Sequence, residues 1–286
     1  MSKRFFWINT DNKGSLDKLI KEANVPEPQS IEEVSTEDAI DFTDSRYYEN
    51  RELSWLKFNQ RILNETSDDD NPLMEKLGFL SITSSNLDEF YMVRVASLKD
   101  MENAGYKKTD LAGLTVKKQL REINNITRRF VSEQYRIFNT ELVPELEKEG
   151  IRIVSNYESL TTDQAEFVDK FFENSIYPVL TPMAVDASRP FPLVRNKTLN
   201  IAALIRSNEK KSIISETENK AKEKTIEFAT VQVPSVLPRL ILIPSDNEEK
   251  DVFILLEQVI EKNLSKLFLN YDVVTAFPYR IMRNAD

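Results

Sequence analysis

A two-part α+β chain is what this sequence predicts, an all-helical bundle followed by an α+β head with a mixed or antiparallel sheet. Three observations carry the prediction. Apolar residues recur at helical spacing from Arg46 to about residue 149. Past Gly150 they change to short β-branched runs bounded by turn residues. The change itself is marked by helix-stop chemistry, Pro144 and then Gly150 at the C′ position.

The elements follow in order. Residues 1–45 lose periodicity after about Ala23 and carry eight acids and no base between 22 and 45. This predicts a mostly disordered acidic tail. In the bundle, 46–149, a first helix carries Trp55, Leu56, Phe58, Ile62 and Leu63 and stops at Ser67-Asp68-Asp69-Asp70. Asn71-Pro72 restarts a helix with Leu73, Leu77 and Leu80 on one face. The polar, β-branched stretch 81–85 predicts a loop or kink, after which Ser85-x-x-Asp88 caps a third helix carrying Phe90, Val93 and Leu98. A long helix over 115–143 completes a bundle of roughly four.

In the head, 150–286, residues 151–154 read as a strand. A helix opens at Thr161 with a Thr161-x-x-Gln164 capping box and ends at Pro178 and Pro182. Strands are expected at 198–206, 226–233, 240–243 and 276–282, with a helix over 251–268 and a flexible insert at 207–224.

Composition narrows the chemistry. The 286 residues suit one to two domains. There is no Cys and no His, which removes disulfides, thiol nucleophiles and the usual zinc, copper and haem ligands. Any metal would be a hard cation held by carboxylates or substrate phosphates, and no protein ligand set for one is expected here. Five glycines form neither GxxxxGK[ST] nor GxGxxG, so no phosphate-cradling loop is present. No run approaches the roughly 18 apolar residues of a membrane span, and a cytoplasmic location is expected. A net charge of −9 argues against a nucleic-acid partner. Residues 107–136 nevertheless hold eight bases against three acids.

Within that basic stretch, Lys117, Arg121 and Arg128 fall within roughly 40° of one another on a helix. They form a ridge suited to a polyanion or to the acids of another subunit, or simply a solvated face. Asn86 has an amide that suits a purine edge or a ribose hydroxyl; capping a helix start is the alternative. Asp88 and Glu89 diverge by about 100° and cannot readily share a substrate atom, so Asp88 reads as an N3 capping carboxylate. Trp55 and Phe58, on an apolar stripe, read as core rather than as a base-stacking pair.

Two stretches, Glu52-Leu53-Ser54-Trp55-Leu56-Lys57-Phe58-Asn59 and Ser84-Ser85-Asn86-Leu87-Asp88-Glu89-Phe90, together resemble the amino-terminal signature of the histidine-phosphorylating polyphosphate kinases. Thr230-Val231-Gln232-Val233-Pro234 with Leu237-Pro238-Arg239 resembles a second family element. The stretch from Phe277 to Asp286 resembles a third, the strand that closes the family's head domain. The resemblance implies an enzyme that moves the terminal phosphoryl of ATP onto a histidine and then onto polyphosphate, reversibly and with Mg²⁺. It implies that Asn86 contacts ATP, that the head builds a homodimer or larger oligomer, and that the catalytic histidines and metal ligands belong to domains absent from this chain, which alone should be inactive. The alternative is a stand-alone, non-catalytic protein-interaction or polyanion-binding module.

Overall fold

The computed structural model describes residues 41–185, 191–208, 226–245 and 250–284. The expected acidic tail up to residue 40 and the expected insert from residue 209 lie outside the described residues. Residues 41–47, a unit separate from the rest, form a turn and a short 3₁₀ segment in which the Asp44 carboxylate accepts from Arg46.

The helical region opens with α1, Arg51–Asn64. Buried Asn50 caps it: its Oδ1 accepts from the Glu52 and Leu53 amides, and its Nδ2 donates to Asp110 at 2.6 Å. That last bond ties the start of α1 to the turn before the longest helix. Next comes α2, Leu73–Phe90, which runs through a π-helical turn, Tyr91–Val95, into α3, Ala96–Asn103. The longest helix, α4, Val116–Ile137, is capped by Thr115 and passes through a π turn, Phe138–Leu142, into α5, Val143–Lys148. Pro144 is the second residue of α5, directly after the π turn; the helix runs on through it, and the widened turn accommodates a residue that has no N–H to give the preceding turn. Gly150 has φ 82° just past the C-cap, a conformation an L side chain would oppose. Two buried clusters hold these helices together, one around Leu56, Phe90, Leu98 and Ile123, the other around Leu63, Phe130, Ile137 and Leu142.

The loop expected at 81–85, and with it the helix start expected at Asn86, is corrected: those residues lie inside α2. The reason is tertiary. Thr83 is fully buried, and its hydroxyl donates to the Leu80 carbonyl at 2.7 Å and accepts from Gln134 of α4 at 2.9 Å. Gln134 also reaches Ser84, and Asn59 of α1 donates to the Thr83 carbonyl. Polar residues that would favour a turn in isolation are satisfied here by side chains from neighbouring helices. The Ser85–Asp88 capping box therefore does not form.

The head contains two sheets among the described residues. One is mixed, in the order β1 (Ile151–Ile153), β6 (Asp251–Leu255), β5 (Leu240–Ile243), with β1 parallel to β6 and β5 antiparallel to it. The other is antiparallel, in the order β2 (Pro182–Val185), β4 (Ile226–Gln232), β3 (Leu199–Ser207), β7 (Tyr271–Arg280). Between β1 and β2 lies α6, Thr162–Phe171, whose Thr161–Gln164 capping box is present in full. One continuous core around Phe172, Ile176, Ile201, Val231, Ile254 and Ile260 joins helices and sheets.

Two expectations for the head are corrected. Residues 251–268 are not one helix: β6 comes first, then α7, Leu256–Lys262, and α8, Leu264–Leu267. Val252 and Ile254 are buried with Phe253 half-buried between them, a period-2 pattern flanked by β1 and β5. The helix begins where Gln258 accepts from the Leu255 amide at 3.2 Å. Pro182 does not end a helix but opens β2, an edge strand of the antiparallel sheet, where a missing N–H is tolerated.

Candidate functional site

Asn86 lies on the rim of a cleft of about 270 Å³ formed by α1, the end of α2 and the π turn that follows. Trp55, Phe58, Glu89, Phe90, Val93 and Arg94 complete its lining. The floor is aromatic: the Trp55 and Phe90 rings stack with centroids 4.6 Å apart and planes 10° from parallel. Phe90 is 1% exposed and belongs to the helical core, so the floor is fixed from beneath. Phe58, expected in the core, is 45% exposed at the cleft. The stripe of α1 turns Leu56 and Leu63 inward and leaves Phe58 outside, with the Arg61 guanidinium 5.7 Å from its ring centre. The exposed Phe58 ring lies in the same cleft as the half-buried Asn86 amide, and exposed aromatic rings are surfaces on which bases stack.

Charge at the cleft is largely internal. The Arg94 guanidinium lies 5.9 Å from the Trp55 ring centre and donates to Glu52 at 3.0 Å. Glu52, 5% exposed, also accepts from Arg51 at 2.7 and 2.9 Å. Arg94 thus serves as a strut with its charge already met, and the cleft suits the base end of a nucleotide better than its phosphates. No group of three or more acidic side chains able to hold a metal ion occurs among the described residues.

Asn86 is anchored by a residue that the sequence reading passed over. Its Nδ2 donates to Asn59 Oδ1 at 3.1 Å, and Asn59 is 0% exposed. An amide at helical spacing between Leu56 and Leu63, two residues of the expected apolar stripe, was the available signal.

Asp88, expected to cap a helix start, instead accepts from Arg280 Nη2 at 2.8 Å, with Lys197 at 4.0 Å. Its carboxylate joins the end of α2 to the end of β7, and nothing in local sequence could announce a partner 192 positions away. Beside this ion pair is a roomier cleft of about 420 Å³, lined mainly by Leu80, Leu87, Tyr91, Thr127, Val131 and Tyr135. The Thr127 hydroxyl is buried there without a hydrogen-bond partner among the described residues. Its lining also holds the Gln134 amide, fixed by Thr83 and Ser84, beside Tyr135, which is 65% exposed; what singles out the smaller cleft is Asn86, the residue to which the resemblance points.

Lys117, Arg121 and Arg128 are exposed on α4, remote in sequence from the residues that line the Asn86 cleft. Arg121 bonds to neighbouring Glu122 at 3.4 Å.

Two family models, described as the polyphosphate kinase N-terminal domain and the polyphosphate kinase middle domain, match residues 48–154 and 163–286. The chain belongs to the polyphosphate kinase family. It is 47% identical over 256 residues to the polyphosphate kinase of Halalkalibacterium halodurans, covering 89% of this chain and 34% of that one. To the polyphosphate kinase of Bacillus cereus it is 47% identical over 249 residues, covering 87% and 34%. The crystal structure of polyphosphate kinase from Porphyromonas gingivalis superposes with a TM-score of 0.70 at 29% identity, covering 83% of this chain and 33% of that chain. The chain thus spans about a third of the length of the relatives it matches. Among its described residues no helix is long and apolar enough to cross a membrane.

Proposed function

We propose that this chain forms the base-binding side of the ATP site in a cytoplasmic polyphosphate kinase, and that its head contributes to a homodimer or larger oligomer. The observation that carries the first part is the cleft itself, an anchored amide beside an open aromatic platform. The exposed row of Lys117, Arg121 and Arg128 is assigned to steering polyphosphate or to contacting acids of another subunit.

Trp7 and Trp55 are the two tryptophans of the chain, so Trp7→Phe leaves Trp55 as a fluorescent reporter in the cleft. ATP titrated into that protein should quench or shift Trp55 emission saturably. Asn86→Ala should raise the Kd about two- to tenfold, the worth of one uncharged hydrogen bond. An unchanged Kd in a folded Asn86→Ala protein would refute the contact.

Phosphoryl transfer relies on positioned charges around the transferred group, and the chain supplies no histidine to carry a phosphoryl group. Incubation with γ-labelled ATP and Mg²⁺ is expected to leave the purified chain without acid-labile label and to yield no polyphosphate. Stoichiometric label would overturn the assignment of catalysis to other domains.

A further inference from the structure

We infer that Asn59 dictates which atom Asn86 offers the nucleotide, so that the cleft admits a purine bearing a 6-amino group and disfavours one bearing a 6-oxo group. The inference rests on the reading that Asn86 meets the base.

The argument starts from a main-chain carbonyl. Asn59 Nδ2 donates to the Thr83 oxygen at 3.1 Å. A carbonyl only accepts, so the NH₂ end of Asn59 must face Thr83. Its oxygen then faces Asn86, and Asn59 itself is 0% exposed. That oxygen also only accepts. Asn86 must therefore turn its own NH₂ inward, at 3.1 Å. In the planar amide the C=O and C–N bonds diverge from one carbon, so with its nitrogen turned to Asn59 the Asn86 oxygen is the atom left for other donors. No described residue donates to it.

A free asparagine is ambivalent, since rotating the amide offers either a donor pair or an acceptor. Here the rotation would set NH₂ against a position that needs an acceptor, or oxygen against oxygen, inside a buried network where an unmet polar group is costly. The cleft consequently presents one fixed acceptor beside its aromatic platform. A 6-amino group donates to that acceptor. In the pose that meets a 6-amino group, a 6-oxo group brings lone pair against lone pair, and its one nearby donor, N1–H, sits on the next ring atom and reaches the acceptor only if the base shifts. Sites built around a particular hydrogen bond discriminate more sharply than apolar pockets do. Asn59 is a positioning residue, acting through Asn86 without touching the nucleotide.

The test uses Trp55 fluorescence in the Trp7→Phe chain with three probes: ATP, inosine triphosphate and purine riboside triphosphate, which carries only hydrogen at position 6. ATP should bind tightest. Purine riboside triphosphate should bind about two- to tenfold more weakly, having lost one hydrogen bond, and inosine triphosphate at least about tenfold more weakly. Asn59→Leu frees the Asn86 amide to turn, and the ATP-to-inosine triphosphate ratio should fall to within about twofold. A general loss of stability would not by itself change that ratio. If Asn59→Leu fails to fold, the three-probe comparison on unmutated Asn59 still decides. Equal affinity for ATP and inosine triphosphate, with Asn86→Ala still weakening ATP, overturns the relay and spares the base contact. An undiminished ATP preference in a folded Asn59→Leu protein overturns the role of Asn59. Absence of any ATP response that depends on Asn86 overturns the base contact and the relay together.

Discussion

Phe90→Ala is expected to cost about 3–5 kcal/mol of stability and to abolish the ATP response of Trp55 at concentrations that saturate the unmutated chain. Phe90 is 1% exposed, packs with Leu56, Leu98 and Ile123, and carries the Trp55 ring on its own. Removing it deletes apolar contacts, opens a cavity in the smaller of the molecule's two fold regions, and takes away the support of the platform. For a protein of this size the stability loss corresponds to roughly 6–20 °C in Tm. Phe90→Leu, which keeps most of the volume, should cost less in Tm while still weakening ATP, because the stacked face is gone. Thermal melts and Trp55 titrations on the two variants separate support of the fold from support of the platform. A loss below about 1 kcal/mol for Phe90→Ala would contradict the packing described.

What the sequence disclosed, and what it did not, divides along the range of the interactions involved. The Thr161–Gln164 box formed as read because both of its hydrogen bonds close within four residues. β5 fell at Leu240–Ile243, and β3 and β4 ran within one residue of their expected limits, since alternation and turn chemistry are local. The fold class was legible for the same reason. The interior of α2 was not. Its middle is written in Ser and Thr, and only Asn59 and Gln134, 24 and 51 positions from Thr83, make that stretch helical. β6 was missed because a short apolar run leading into a helix has no period of its own until β1 and β5 flank it. At the site, the resemblance pointed to Asn86, but no pattern near Asn86 pointed to Asn59. Phe58 sits beside buried residues on α1 and differs from them only by a rotation about the helix axis, which packing decides.

The second large effect is expected at Arg239, the last residue of the Pro-rich element that leads into β5. Its guanidinium donates to Glu257 in α7 at 2.6, 3.0 and 3.2 Å, and the Glu257 side chain is 6% exposed where that of Arg239 is 65% exposed. The bond to Glu257 holds the Arg239 guanidinium above its ordinary pKa range, against the opposing pull of burial. The pair is lopsided, and the two ways of breaking it should differ. Arg239→Leu strands a buried carboxylate with no described partner, a desolvation cost of about 2–3 kcal/mol. Glu257→Leu leaves an arginine that can turn to water and puts an apolar side chain beside buried Leu256 and Ile260. It should cost about 1 kcal/mol or less. Urea unfolding of the two single variants and the double variant gives the comparison directly, and the double variant should recover most of what Arg239→Leu loses. Equal losses from the two single substitutions would show instead that attraction between the charges, and not the burial of one of them, sets the energy at this junction of β5 and α7.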